Sequence, residues 1–115
     1  MAALTAIVPS AAGVATTGAA VSASDTIDAS ILGGRGAYLE ILNGGASSDT
    51  VTISDYGVTD SGNTLPSNTY TVTVANATNK VIFLKPYGVN PATGLITVAH
   101  SFITSVTYKL YPVSI

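Results

Sequence analysis

The chain holds few residues that could perform acid–base or nucleophilic chemistry. His100 is the single imidazole, and there is no Cys among the 115 residues. His100 falls on the same face of a predicted strand as Ile96 and Val98. No Ser lies in a Gly-x-Ser-x-Gly turn, and an enzyme would need Asp55, Asp60 and His100 to converge in one cleft. We therefore expect no enzymatic activity and no catalytic residue, and we expect His100 to have a structural role at a strand end or interface.

Metal and cofactor chemistry has similarly little support. Asp55, Asp60 and Asn63 crowd one loop and could offer oxygen ligands to Ca²⁺, with Asp49 as an addition, but their spacing differs from that of a calcium-binding loop. We expect these side chains to cap turns. One His without Cys is a poor zinc set. The segment 33–36, Gly-Gly-Arg-Gly, lacks the Gly-x-x-x-x-Gly-Lys pattern of a phosphate loop. The sequence thus predicts no metal and no cofactor.

Charge is scarce throughout the chain. Charged residues make up 9% of the sequence, and the formal net charge is −2, whereas ordinary globular proteins carry about 25% charged residues. The four cations form no run, so a nucleic-acid partner is not expected. No stretch of about 18 apolar residues could span a membrane as a helix. A surface of hydroxyls, small side chains and backbone favours contact with other protein.

Regular two-residue alternation predicts antiparallel strands over most of the chain after residue 30. In 37–42 the apolar Leu39 and Ile41 share one face, and in 49–54 Val51 and Ile53 do the same. Predicted outward positions carry hydroxyls, namely Thr50, Thr52, Thr69, Thr71 and Thr73. Further strands are predicted over 69–74, 95–100 and 104–111. Asn- and Gly-rich turns separate them at 43–45, 60–63, 76–79 and 90–94.

This spacing of strands predicts an all-β fold, a small antiparallel β-sandwich or jelly-roll-like barrel with little or no helix. Residues 1–30 are poor in large side chains, and we assign them to an N-terminal arm. The arm either extends along a neighbouring molecule or supplies a first edge strand. Residues 31–115 form the sandwich domain.

One predicted strand departs from the alternation. In 80–87, Val81, Ile82, Phe83 and Leu84 are contiguous, so apolar side chains would occupy both faces. Such a strand is expected in the centre of a sheet or beneath a partner.

Aromatic residues supply the candidate interface. Tyr70 and Tyr108 alternate with core positions, whereas the other four Tyr residues are free to be exposed. We assign as candidate interface residues Arg35, Tyr38, Tyr56, Tyr87 and Tyr111. An exposed Tyr platform could instead stack on sugars, which leaves a carbohydrate-binding or adhesin-like module as an alternative of another class.

From Arg35 to Tyr111 the order of features resembles small head decoration proteins of tailed bacteriophages. The resemblance rests on Tyr38-Leu39-Glu40-Ile41-Leu42-Asn43-Gly44, on the Thr/Val strands 49–53 and 70–74, on 81–87, and on Asn90-Pro91-Ala92-Thr93-Gly94 with the strand after it. Members often carry a Pro-Ala-Gly turn where this chain has residues 75–78. The resemblance implies a compact, non-catalytic β domain on the outside of an icosahedral shell, and frequent trimers.

We therefore expect a late, homo-oligomeric virion protein located on the capsid surface. Its expected partners are the major capsid protein and further copies of itself, in a trimer or another symmetric oligomer. A head-to-tail connector or tail structural protein is the alternative within the same class.

Overall fold

The computed structural model describes residues 2–55, 68–86, 88–90 and 92–113. These residues form two β-sheets that pack face to face, with one short helix, so the predicted all-β sandwich is confirmed. The strands are β1 (Ala2–Ala3), β2 (Ala19–Ala20), β3 (Ser24–Asp28), β4 (Ala37–Asn43), β5 (Asp49–Asp55), β6 (Asn68–Val74), β7 (Thr78–Leu84), β8 (Leu95–His100) and β9 (Val106–Pro112), and the helix is α1 (Ala29–Leu32).

One sheet has five strands in the order β1-β3-β8-β5-β6, and the other has four in the order β2-β9-β4-β7. All pairings are antiparallel except that of β1 with β3. Apart from β5 and β6, successive strands along the chain lie in different sheets. Strands that are close in the sequence therefore contribute to both layers, and the core lies between these layers.

Inward-facing aliphatic side chains of both sheets form this core. The fully buried members include Leu39 and Ile41 of β4, Ile53 of β5, Ile96 of β8 and Leu110 of β9. Burying one such side chain contributes about 1.5–3 kcal/mol. The alternation in β4, β5 and β9 is thus the pattern that defines the interior, as the sequence predicts.

Residues of the predicted arm cover one side of the sandwich. β1 lies beside β3, and the Leu4 N–H donates to Thr26 O at 2.8 Å. The chain then crosses to the other sheet, where the Ile7 N–H donates to Leu110 O at 2.7 Å and β2 pairs with β9. Leu4 is buried at the crossing. The first 28 residues therefore contribute strands to both sheets.

β7 corrects the expectation of a central strand. It pairs with β4 on one side only, and no other described strand lies beside it. Ile82 and Leu84 face the core, while Val81 and Phe83 are exposed by 61% and 47%. The contiguous apolar run fills both faces of the strand, as predicted, but no layer formed by the described residues covers its outward face.

Candidate functional site

One buried polar pair, formed by His100 and Asp49, joins the end of β8 to the start of β5. His100 Nδ1 lies 2.6 Å from Asp49 Oδ2, and both side chains are fully buried. Asp49 Oδ1 accepts hydrogen bonds from the N–H groups of Ser101 at 3.1 Å and Phe102 at 3.3 Å. The carboxylate thus holds β8 and the turn that leaves it against β5. The sequence places His100 at a strand end, which is confirmed, but it did not pair His100 with Asp49.

The second ring nitrogen of His100, Nε2, bears on whether the pair could take part in proton transfer. Nε2 is buried and has no hydrogen-bond partner in the described structure. A His that serves as a general base must reach the hydroxyl or water whose proton it takes. Among the described residues, the polar contact of the His100 ring is with the Asp49 carboxylate, which links β8 to β5.

The predicted cation loop is only partly within the described residues. Asp60 and Asn63 lie outside them. Asp49 and Asp55 do not share one site, because Asp49 begins β5 and Asp55 ends it, about 20 Å away at the rise of an extended strand. Asp55 instead lies 3.3 Å from the Lys85 ammonium. Among the described residues no three acidic, His or Cys side chains are grouped as metal ligands would be.

The same separation bears on the catalytic alternative. Val51 of β5 pairs with His100, so Asp55 lies toward the opposite end of the sandwich. The convergence of Asp55 with His100 that an enzyme would need is not formed. Asp60, the third residue of that set, lies outside the described residues.

The outer surface of the four-stranded sheet is the strongest candidate for a binding site. Three rows cross β9, β4 and β7 in register: Tyr111–Tyr38–Phe83, Lys109–Glu40–Val81 and Thr107–Leu42–Asn79. The Tyr38 and Phe83 rings lie 5.7 Å apart between centroids, in a tilted arrangement. We call this surface, formed by Tyr38, Leu42, Val81, Phe83 and Tyr111, the aromatic face.

The apolar side chains of the aromatic face are exposed next to one another, unlike apolar residues that are scattered singly over a surface. Tyr38 and Phe83 are each exposed by 47%, and Leu42 and Tyr111 are half-buried around them. The two charged residues within the rows, Glu40 and Lys109, stand opposite each other with opposite sign. A contiguous exposed apolar surface of this kind is typical of a site that another molecule covers.

Sequence reasoning found part of this surface. Tyr38 is exposed as predicted, and Tyr111 lies beside it in register. Arg35 is exposed but lies in the loop before β4, outside the rows, whereas Tyr56 and Tyr87 are outside the described residues. The prediction missed Leu42, Val81 and Phe83. The contiguous run in 81–84 carried the signal, since alternate members of such a run must face outward.

The outer surface of the five-stranded sheet has a different chemistry. Thr50 pairs with Thr73 and Thr52 with Thr71 across β5 and β6, and the hydroxyl-bearing side chains point away from the core. This hydroxyl face was predicted from the alternation. The protein therefore presents one apolar and one hydroxyl-covered sheet surface.

No cavity is found in the described structure, and none of its helices is long and apolar enough to cross a membrane. No protein-family model, curated protein or solved structure matches the chain.

Proposed function

We propose that this protein is a non-enzymatic structural protein of a bacteriophage virion, which binds the outer surface of the capsid and stabilises its lattice. The observation that carries the proposal is the aromatic face. Tyr38, Phe83 and Val81 stand exposed on a β-sheet in which β4 is hydrogen-bonded to β7 on one side and to β9 on the other. Binding through such a surface loses little conformational entropy, because the strand positions are set before contact.

The charge distribution supports a protein partner. Opposite charges at Glu40 and Lys109 leave the middle row of the aromatic face close to neutral. The hydroxyl face adds Thr side chains, which bear no charge to desolvate. Tyr and Phe supply large apolar contact area with few rotatable bonds and are enriched in the well-packed centres of interfaces. The expected partner is the major capsid protein.

Repetition on a lattice accounts for how modest contacts could suffice. Each copy would add apolar contact at a capsid seam, worth about 25 cal/mol per Å² before the entropic cost of association. Symmetry repeats the same contact over the whole shell, so a small gain per copy becomes a large gain per particle.

The test uses capsids of the phage whose genome encodes this protein, prepared with the gene for this protein intact and with that gene deleted. We expect the protein to co-sediment with capsids in hundreds of copies and to raise their thermal disruption temperature. Tyr38→Ser with Phe83→Ser should weaken binding by about several hundredfold, since central aromatic anchors contribute about 2 kcal/mol each. Thr71→Ser on the hydroxyl face is the matched control.

Three results bear against the proposal. Absence of the protein from purified virions would refute it, as would equal thermal stability of capsids with and without it. If each virion held only tens of copies of the protein, all at one vertex, the protein would be a connector or tail protein and not a capsid decoration protein.

The same aromatic rows also favour a second candidate, a carbohydrate-binding module. Tyr38 with Tyr111 and Phe83 forms the exposed aromatic platform on which a sugar ring could stack. This alternative predicts binding on a glycan array that Tyr38→Ser abolishes. An array without hits retires it.

A further inference from the structure

Among the described residues β7 is an edge strand, and its outer backbone edge does not suit a monomer in water. An exposed strand edge presents unpaired N–H and C=O groups, and natural proteins blunt such edges with charge, Pro, bulges or a covering segment. β7 runs for seven residues and includes the most apolar stretch of the chain after residue 30, Val81-Ile82-Phe83-Leu84. Lys80 and Lys85 stand at the two ends of this run, and none of its residues is charged.

The register identifies the groups at the open edge. The Val113 N–H donates to Gly36 O, which makes Gly36 and Val113 a hydrogen-bonded pair between the segments of β4 and β9. Bonded and non-bonded pairs alternate along antiparallel strands, so the odd-numbered residues of β4 bond to β7. Ala37 pairs with Leu84 and Leu39 with Ile82. The backbone groups of Asn79, Val81 and Phe83 must then point away from β4.

The other edges of the sandwich show how this chain treats exposed backbone. Its own first residues pair with β3 and with β9, on the side opposite β7. The edge strands β1 and β2 have only two residues each, so the other long edge strand is β6, where the corresponding outward residues are Thr69, Thr71 and Thr73. Hydroxyls on that edge are compatible with water, whereas Val81 and Phe83 on β7 are not. Two of the three residues that point outward from the β7 edge, Val81 and Phe83, are apolar and none of the three is charged, which favours pairing with a complementary apolar strand.

We propose that β7 pairs antiparallel with β7 of a second copy of this chain, in a twofold dimer centred on Val81. This register uses all seven residues of the strand and places Val81 opposite its own copy and Asn79 opposite Phe83. A twofold centred one residue earlier would place Lys80 opposite the second Lys80, and like charges directly opposite are destabilising. In the proposed register each Lys80 faces Ile82, so no charges of the same sign meet.

The pairing joins two four-stranded sheets into one continuous eight-stranded sheet. Because Val81 and Phe83 carry side chains on the aromatic face, the two aromatic faces become contiguous across the twofold axis. The dimer itself stands independently of the proposed function, and only this consequence, a doubled surface for the capsid, rests on it. Two linked faces bind a repeating lattice more tightly than one.

The full-length protein in solution provides the test. Sedimentation equilibrium should show a reversible change from the 11.5 kDa monomer to twice that mass. A contact made by a single pair of strands buries less surface than the roughly 1,200 Å² of a stable complex. We therefore expect a dissociation constant in the micromolar range or weaker, and the measurement should extend to about 1 mM protein.

Charge substitutions at the twofold test the register. Val81→Lys places two like charges opposite each other and should weaken the dimer about tenfold or more, and Val81→Glu should do the same. Mixing the two variants should restore association, because Lys then faces Glu. Thr71→Lys at the centre of the β6 edge is the matched control and should leave the dimer unchanged. Val81 is exposed, so equal thermal stability of the variants would verify their folding.

A monomer at the highest concentration overturns the proposal, and so does a trimer. Equal weakening by Thr71→Lys and Val81→Lys, or no rescue on mixing, also contradicts this edge. If the protein binds capsids but stays monomeric, the dimer proposal is refuted and the proposed function is not. If the protein forms the dimer but does not bind capsids, the proposed function is refuted and the dimer proposal is not.

Discussion

Asp49→Ala should be among the most destabilising substitutions in this protein. The Asp49 carboxylate accepts from three groups inside the sandwich: the His100 ring at 2.6 Å and the N–H groups of Ser101 and Phe102. The Ser101 N–H keeps a second acceptor, Thr50 O at 3.2 Å. The Phe102 N–H and His100 Nδ1 lose their partners. Two buried polar groups are therefore left without hydrogen bonds.

The size of the effect follows from burial. Both side chains of the pair are fully buried, and removing one member of a buried pair costs about 3–5 kcal/mol. A domain of this length has a free energy of unfolding of roughly 6–17 kcal/mol. At about 4 °C per kcal/mol, the melting temperature should fall by about 12–20 °C. Asp49→Asn, which retains an acceptor oxygen, should lose about half as much.

Urea unfolding followed by circular dichroism measures the free-energy change, and calorimetry measures the melting temperature. Asp55→Ala is the matched control, because it removes the same side chain from the other end of the same strand. Its ion pair with Lys85 is partly exposed and should contribute at most about 1 kcal/mol. Equal losses in the two variants, or a loss below about 1 kcal/mol for Asp49→Ala, would refute the structural role of the buried pair.

Gly36→Ala should reduce stability by several kcal/mol, because Gly36 has a φ of +86° and an added Cβ would overlap the Leu84 carbonyl oxygen. Gly34→Ala, with no atom within 4 Å of the added Cβ, is its control, and thermal melting compares the two. Tyr70 supplies a pH dependence: burial, with a smaller contribution from the Asp55 charge, raises its pKa above the usual 10.0. The neutral phenol is favoured in the folded state, so stability should decline as pH rises from about 10 through the raised pKa, and Tyr70→Phe should flatten this decline in urea melts.

Each of these expectations has a contrary result. Equal melting temperatures of the Gly36→Ala and Gly34→Ala proteins would show that the backbone just before β4 can shift to accept a Cβ without loss of stability. A Tyr70→Phe protein that loses stability above pH 10 as steeply as the original would assign the alkaline transition to other groups.

Much of the fold could be predicted from local pattern. Alternation in β4 and β5 identifies Leu39, Ile41, Val51 and Ile53 as interior, because a strand side chain has only two directions to face. The same rule identifies the Thr residues of the hydroxyl face. These assignments need no knowledge of neighbours, since the period of the chain already separates the two faces.

The position of β7 shows where local pattern stops. A run of four apolar residues predicts burial on both faces, but it does not say which neighbour provides the burial. In this fold β4 and the core cover Ile82 and Leu84, while Val81 and Phe83 remain exposed. Sheet order is a long-range property, set by which strands meet after the chain changes sheet, and no local period encodes it.

The sequence by itself determined the class of fold, the two kinds of sheet surface and the scarcity of catalytic side chains, because all three follow from composition and a two-residue period. The tertiary structure alone decided that Asp49 meets His100, that Tyr38 lies beside Phe83 and that β7 lies at an edge. The first two contacts join residues about 50 and 45 positions apart in the chain. Such contacts depend on strand order and register, which arise only when the two sheets pack and one arrangement buries the most apolar surface.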